Sequence, residues 1–119
     1  MKIAIGGQMN KQQIKSYIDA HATKEVSCAI FTDMEAALKV KSGEYDYYVG
    51  ACQSGAGGAL AMAYAILGRD KCTTVGMCGI APKESKVVEG LEKGCKAFGF
   101  TNDQVDSAMS LILKHILGL

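Results

Sequence analysis

The segment Gly50-Ala51-Cys52-Gln53-Ser54-Gly55-Ala56-Gly57-Gly58 gathers more chemistry-bearing residues than any other stretch of the chain. Gly55, Gly57 and Gly58 allow the backbone to turn sharply and approach a ligand, directing amide groups at it from the start of a helix. The dipole of that helix adds partial positive charge, which suits a phosphate or a carboxylate. Helix N-termini favour thiolate over thiol, so Cys52 at the head of the segment is a candidate base or nucleophile. A small residue filling a tight turn is the other reading of Cys52. Ser54 either donates a hydroxyl to an anion or caps the helix. Gln53 supplies a neutral hydrogen-bonding group at the mouth, and Ala56 completes the loop. The glycines as a set either cradle a ligand or pack the helix closely on a sheet. The pattern is not a Walker A loop, which needs Lys-Ser/Thr after the last glycine. Nor is it a dinucleotide fingerprint, whose place is after the first strand.

Gly6-Gly7-Gln8 forms a second glycine turn, and Cys78 lies in a third, Gly76-Met77-Cys78-Gly79-Ile80-Ala81-Pro82. Cys78 is either a rim residue able to touch a ligand or a small residue buried in its turn. The five cysteines include no C-x-x-C and no Cys/His cluster at metal spacing, so neither a metal nor a cofactor is expected. His21 closes one helical pattern and His115 sits in the last, both read as surface or helix-end residues. Glu44 and Asp46 precede a strand and belong at the opposite end of the sheet from the glycine loops. Tyr45, Tyr47 and Tyr48 bracket that strand, a pattern more typical of core than of cofactor stacking.

The elements that position these residues alternate five times between β-type and helical patterns. Lys2–Ile5 reads as a strand ended by Gly6-Gly7, and Asn10 as the cap of a helix over Lys11–His21, with Ile14, Tyr17 and Ile18 at helical spacing. Glu25–Phe31 is the second strand. Thr32-Asp33-Met34-Glu35 is a capping box opening a helix over Asp33–Ser42, and Gly43 suits the position just past its end. Asp46–Val49 is the third strand. Ala59–Leu67 is apolar all round, which predicts a buried helix ended by Gly68. Cys72–Val75 is the fourth strand, Glu84–Lys93 a helix and Ala97–Phe100 the fifth strand. Thr101-Asn102-Asp103-Gln104 reads as a second capping box for a closing helix running to Leu117.

Five β-α units with no hairpin signal predict an α/β protein. The expected architecture is three layers, α/β/α, around a five-stranded parallel sheet. It is flavodoxin-like or Rossmann-like, with order 2-1-3-4-5 preferred. Residues 1–119 are expected to form one domain. In that topology the crevice where strand order reverses lies between the loops after strands one and three, which are the two glycine-rich loops. The ligand-binding set is therefore Gly6, Gly7, Gln8, Gln53, Gly55, Ala56, Gly57, Gly58 and Cys78, with Cys52 and Ser54 as the reactive pair. The closing helix carries a broad apolar face, from Val105 and Ala108 to Ile116 and Leu117. That face predicts either deep packing or a homodimer formed through it.

Composition narrows the partners. Thirteen Lys+Arg against twelve Asp+Glu give a net charge of +1, which argues against nucleic acid and anionic membrane surfaces. Fourteen glycines with one proline, in no three-residue period, exclude collagen and Pro-rich linkers. The apolar run after Lys2 is too short for a signal peptide and no window spans a bilayer, so a cytoplasmic chain without membrane insertion is expected.

Lys39-Val40-Lys41-Ser42-Gly43, Asp46–Cys52 and Ser54-Gly55-Ala56-Gly57 resemble the YhfU-like family of short bacterial proteins, a domain of unknown function. That resemblance implies no activity. Locally, Cys52-Gln53-Ser54-Gly55-Ala56-Gly57 resembles the Cys-Gly-Thr-Gly-x-Gly segment of the ribose-5-phosphate isomerase B and galactose-6-phosphate isomerase group. It implies Cys52 as the proton-abstracting base of an aldose–ketose isomerisation, Ser54 as the assisting hydroxyl and the Gly55–Gly57 amides as the oxyanion site. Those enzymes place Asp-His-Ala-Gly after strand one and a His after strand four, where this chain has Gly6-Gly7-Gln8-Met9 and Met77-Cys78-Gly79. The phosphotransfer IIB domains need a Cys after strand one, which is absent here. The expected function is binding of a small phosphorylated or carboxylated metabolite with Cys52-dependent isomerase-like chemistry. The alternative is a non-catalytic binding or regulatory subunit of a homo-oligomer. These residues do not separate an enzyme from a binding protein.

Overall fold

The structure, a computed structural model, describes residues 1–23, 25–53 and 60–118. Ser54, Gly55, Ala56, Gly57, Gly58 and Ala59 lie outside the described residues, and with them the glycine loop itself.

The chain folds as β1 (Lys2–Gly7), α1 (Lys11–His21), β2 (Ser27–Ile30), α2 (Asp33–Lys41), β3 (Tyr47–Cys52), α3 (Ala61–Leu67), β4 (Cys72–Thr74), α4 (Glu84–Glu92), β5 (Ala97–Thr101) and α5 (Val105–Ile116). All strand pairs are parallel, in the order β2-β1-β3-β5-β4. The expected α/β/α architecture is the observed one, and the half of the order that sets the crevice, 2-1-3, is as expected. The last two strands exchange places. β5 is buried along its whole length with Phe98 and Phe100 at 0% exposure, whereas β4 has three residues, all half-buried. A strand buried along its whole length belongs in the interior of a sheet, and a short, half-buried one blunts its edge.

Alternation along the strands sorts the core into two layers. Ile3, Ile5, Val49, Phe98 and Phe100 face α1, α4 and α5, with Ile14, Val87, Met109 and Ile112 packed on them. Ala4, Tyr48 and Ala97 face α2 and α3. Connections running toward the β2 edge use one face and those running toward the β4 edge use the other, as a single hand of crossover requires. Asp46 latches the amino ends of β1 and β3, accepting from the Lys2 N–H at 2.7 Å and donating its own N–H to the Lys2 carbonyl at 2.8 Å. It sits at the end of the sheet away from the crevice, as read from sequence.

The Thr32 hydroxyl caps α2 by accepting the Glu35 N–H at 3.1 Å, and Gly43 has φ +83 just past that helix. Two other caps differ from expectation. Asn10 takes a left-handed conformation, φ 55, and its side chain bonds the Asn102 carbonyl at 3.0 Å and Gln13 Oε1 at 2.9 Å instead of capping α1. Thr101 is the last residue of β5, so the second capping box does not form, and α5 begins at Val105 after a short turn over Asn102–Gln104. Gln104 is drawn away to the carbonyls of Met77 and Ile80, at 3.2 and 2.8 Å.

Two expectations about helices are corrected. The apolar face of α5 is spent inside the protomer, where Val105, Ala108, Met109, Ile112 and Leu113 are buried. Of its two readings, deep packing is the one observed: among the described residues no large apolar side chain of α5 is openly exposed. Conversely α3, expected to be buried, has only Ala63 fully enclosed, with Ala61 and Ala65 exposed. It lies beside α2 in an outer layer, so one of its sides meets solvent.

Burial also sets an alkaline limit on stability. Desolvation pushes the Cys28 and Cys72 thiols from an ordinary 9.0 up to about 11, raises Cys95, and raises the Tyr48 phenol further still. The folded chain therefore holds these protons where the unfolded chain releases them. Stability is fully present below about pH 9 and falls as pH rises through about 11. Urea midpoints should drop between about pH 8 and pH 10.5, and a Cys28→Ala/Cys72→Ala variant should show a shallower drop.

Candidate functional site

The crevice lies where β1 and β3 end, and its floor is built by glycine. Gly6 carries no Cβ, and the space one would need is filled by the Tyr48 ring on the neighbouring strand. The ring runs beneath α2 to the end of β1, where the Tyr48 hydroxyl accepts the Gly7 N–H at 2.8 Å and donates to Asp33 Oδ1. Gly7 has φ +77, and a Cβ there would stand 2.7 Å from the Ala51 nitrogen. Past it the Gln8 and Met9 amides both donate to the Ala51 carbonyl, at 2.9 and 3.1 Å, turning the chain back over the end of β3.

Gly6 and Gly7 thus have buried faces committed to packing against Tyr48 and Ala51. Gln8, just past β1, and Gln53, just past β3, are both exposed. Cys52 is the last residue of β3, 2% exposed, and pairs in register with Thr101 at the end of β5. The Thr101 hydroxyl is fully buried and has no hydrogen-bond partner among the described residues. Leaving a buried hydroxyl unmet costs on the order of 1–3 kcal/mol, which is the stabilisation a partner for Thr101 would supply.

Three residues of this site escaped the sequence reading. Asp33 was assigned to a capping box, yet its carboxylate turns into the crevice and takes the Tyr48 proton donor. Lys11 places its ammonium on the Phe31 carbonyl at 2.8 Å, beyond the end of β2. Thr101 was read as a cap. The available signal was topological: each follows or ends a parallel strand, and such positions gather at the carboxyl edge.

Cys78 is exposed on the turn after β4. With β5 between β4 and β3, that turn stands one strand further from Cys52 than the order 2-1-3-4-5 implied. Both histidines are engaged elsewhere. His21 stacks on Tyr17 with ring centroids 4.0 Å apart, and His115 Nε2 meets Glu84 Oε2 at 2.9 Å. A cavity of about 220 Å³ lined by Arg69, Cys72, Lys86 and Lys93 opens at the amino end of β4, remote from the crevice. Among the described residues no helix is long and apolar enough to cross a membrane.

Tyr48→Phe tests how the floor is held. Removing the hydroxyl takes the donor from Asp33 and leaves the buried Gly7 amide only its long bond to Asp33 Oδ1, at 3.4 Å. The expected loss is about 1–3 kcal/mol, a fall of several degrees in Tm with the fold retained. An unchanged Tm would mean the phenol bridge carries no weight.

Residues 1–116 match the family described as "Protein of unknown function DUF2620". The chain belongs to that family. It is similar to the uncharacterised protein YhfU of Escherichia coli strain K12, 40% identical over 115 residues and covering 97% of each chain. The corresponding protein of Shigella flexneri is similar to the same extent. Among solved structures, the fold resembles a ribose 5-phosphate isomerase, RpiB, from Thermotoga maritima. The TM-score is 0.71 at 13% identity, over 98% of this chain and 85% of that one. At that identity the likeness is one of fold. The YhfU-like resemblance read from the sequence is thus met by the family and its relatives, and the isomerase resemblance by a shared fold.

Proposed function

We propose that this DUF2620 protein binds a small phosphorylated or carboxylated metabolite, of the sugar-phosphate class, at the carboxyl ends of β1, β3 and β5. The observation that carries this reading is the Thr101 hydroxyl, which is buried on the strand beside Cys52 and itself makes no hydrogen bond among the described residues. A ligand oxygen would supply its partner. The amides of Gly55–Gly58 and the Lys11 ammonium would hold the anionic group. The fold shared with a sugar-phosphate isomerase is consistent with such a ligand.

In the catalytic form of the proposal, Cys52 takes the proton from the carbon beside a carbonyl and returns it to the former carbonyl carbon. The loop amides hold the oxygen that becomes negative between the two steps. Asp33 supplies the second acid/base group that the sequence lacked, since its carboxylate already accepts a proton donor at the mouth. The rival reading, a non-catalytic binding or regulatory subunit, is favoured by the engagement of both histidines elsewhere and by the packing role of Gly6 and Gly7. Cys52→Ser separates the two. Turnover lost with affinity kept marks an enzyme, whereas a binding subunit keeps both its ligand and its response.

A further inference from the structure

We propose that the cavity between α4 and the turn that leads into β4 is a second binding site, built for a small phosphate-bearing anion. Its volume is about 220 Å³. That is the share of about seven waters, enough for a phosphate and a short carbon chain. β4 is the last strand of the sheet, so no further strand covers this side. Lys86, Glu89, Gly90 and Lys93 recur at i, i+3, i+4 and i+7, which turns one stripe of α4 and its last cap residue to the cavity. Gly90 brings the helix close, since a Cβ there would meet Thr73 Cγ2 at 2.9 Å. Arg69 and Asp70 close the other side. The Cys72 and Cys95 thiols are spent on carbonyls, those of Gly68 at 3.4 Å and Asp70 at 3.5 Å, and serve as wall.

The charges name the ligand. Arg69, Lys86 and Lys93 are exposed at the rim, and none of them makes an ion pair among the described residues. The Arg69 guanidinium lies 5.0 Å from the centre of the Tyr64 ring, which holds it and leaves its N–H fork for a ligand. Lys71 brings a fourth ammonium beside Gly94. Burial raises the Cys95 thiol, while Lys93 and Lys71 draw it back down and each outweighs Asp70. Burial raises Cys72 as well, and there Asp70 adds to the rise. The anionic end of a ligand therefore belongs toward Cys95. A carboxylate offers two oxygens and one charge, whereas a phosphate ester offers three oxygens and up to about two charges, which suits cations converging from two elements. Asp70 and Glu89 share the lining without pairing with these cations, and each is free to accept a ligand hydroxyl. The site stands apart from the crevice and does not rest on the ligand proposed there.

Nitrogen–proton correlation spectra of the full chain, titrated with inorganic phosphate and with glycerol 3-phosphate, test it. The amides of residues 69–72 and 90–96 are expected to shift, with half-saturation below about 10 mM. Lys93→Glu and Arg69→Ala, both at exposed positions, should each weaken binding about tenfold while the rest of the spectrum stays native. Gly57→Val, aimed at the crevice, should leave these shifts unchanged. Glycerol 3-phosphate binding more tightly than phosphate, with the advantage lost in Glu89→Gln, assigns the site to a phosphate ester. Equal binding of the two assigns it to free phosphate. Shifts absent at about 50 mM of either probe overturn the proposal, as do shifts that survive Lys93→Glu combined with Arg69→Ala. Shifts confined to the carboxyl ends of β1 and β3 overturn it too.

Discussion

Gly7→Ala is expected to cost on the order of 3–5 kcal/mol, a large share of the roughly 5–15 kcal/mol that a domain of this kind has to lose. Two independent penalties combine. A φ of +77 strains any residue with a Cβ, by about 1–2 kcal/mol. The added methyl group would also stand 2.7 Å from the Ala51 nitrogen and 2.9 Å from its oxygen, both backbone atoms of the adjacent central strand. Neither can swing aside as a flexible side chain would. The turn that sends the Gln8 and Met9 amides to the Ala51 carbonyl must then open, and the end of β1 with it. Urea unfolding should show the loss as a lower midpoint with little change in slope. A midpoint within about 0.5 kcal/mol of wild type would mean that the chain relaxes around this residue and that the floor of the crevice is not fixed by it.

The second large effect is a stability gain on ligand binding. Thermal unfolding against a panel of sugar phosphates, carboxylates, nucleotides and inorganic phosphate is expected to give a hit among the small anions. A ligand at about a hundred times its dissociation constant adds roughly 2.7 kcal/mol, a shift of several degrees for a chain of this size. Gly57→Val should abolish that shift by blocking backbone approach. Thr101→Val should act in two directions. Without ligand it removes a buried hydroxyl that has no partner among the described residues, so stability should hold or rise by about 1 kcal/mol. With ligand it should lose part of the shift. A residue that destabilises the empty protein and strengthens the bound one is the signature of a group kept for binding. No hit in wild type, or a shift that survives Gly57→Val, would move the weight to an assembly subunit whose glycine loop serves packing.

The partition between sequence and structure follows from the range of the interactions concerned. Local signals were legible because their causes are local. Apolar spacing placed α1 over Lys11–His21, the Thr32–Glu35 box started α2, and Gly43 ended it. Five β-α repeats with no hairpin left a parallel sheet covered on both faces, and with it the position of the crevice at the ends of β1 and β3. Cys52 at the end of β3, and Gln8 and Gln53 just past β1 and β3, followed from that topology.

What remained depends on contacts between residues far apart in the chain. Whether β5 or β4 is central turns on which strand can bury both faces, and that requires knowing which helices cover each one. Gly6-Gly7 reads from the sequence as a ligand loop, and only the fold brings Tyr48, 41 residues beyond Gly7, into the space beside Gly6 and onto the Gly7 amide. Asp33 and Thr101 lie in sequence patterns of helix caps, and only tertiary packing turns one toward the Tyr48 phenol and buries the other without a partner among the described residues. The same holds for the closing helix. Its apolar breadth was plain in the sequence, but whether the core or a partner covers it is decided by the room between α1 and α4, which no local pattern encodes.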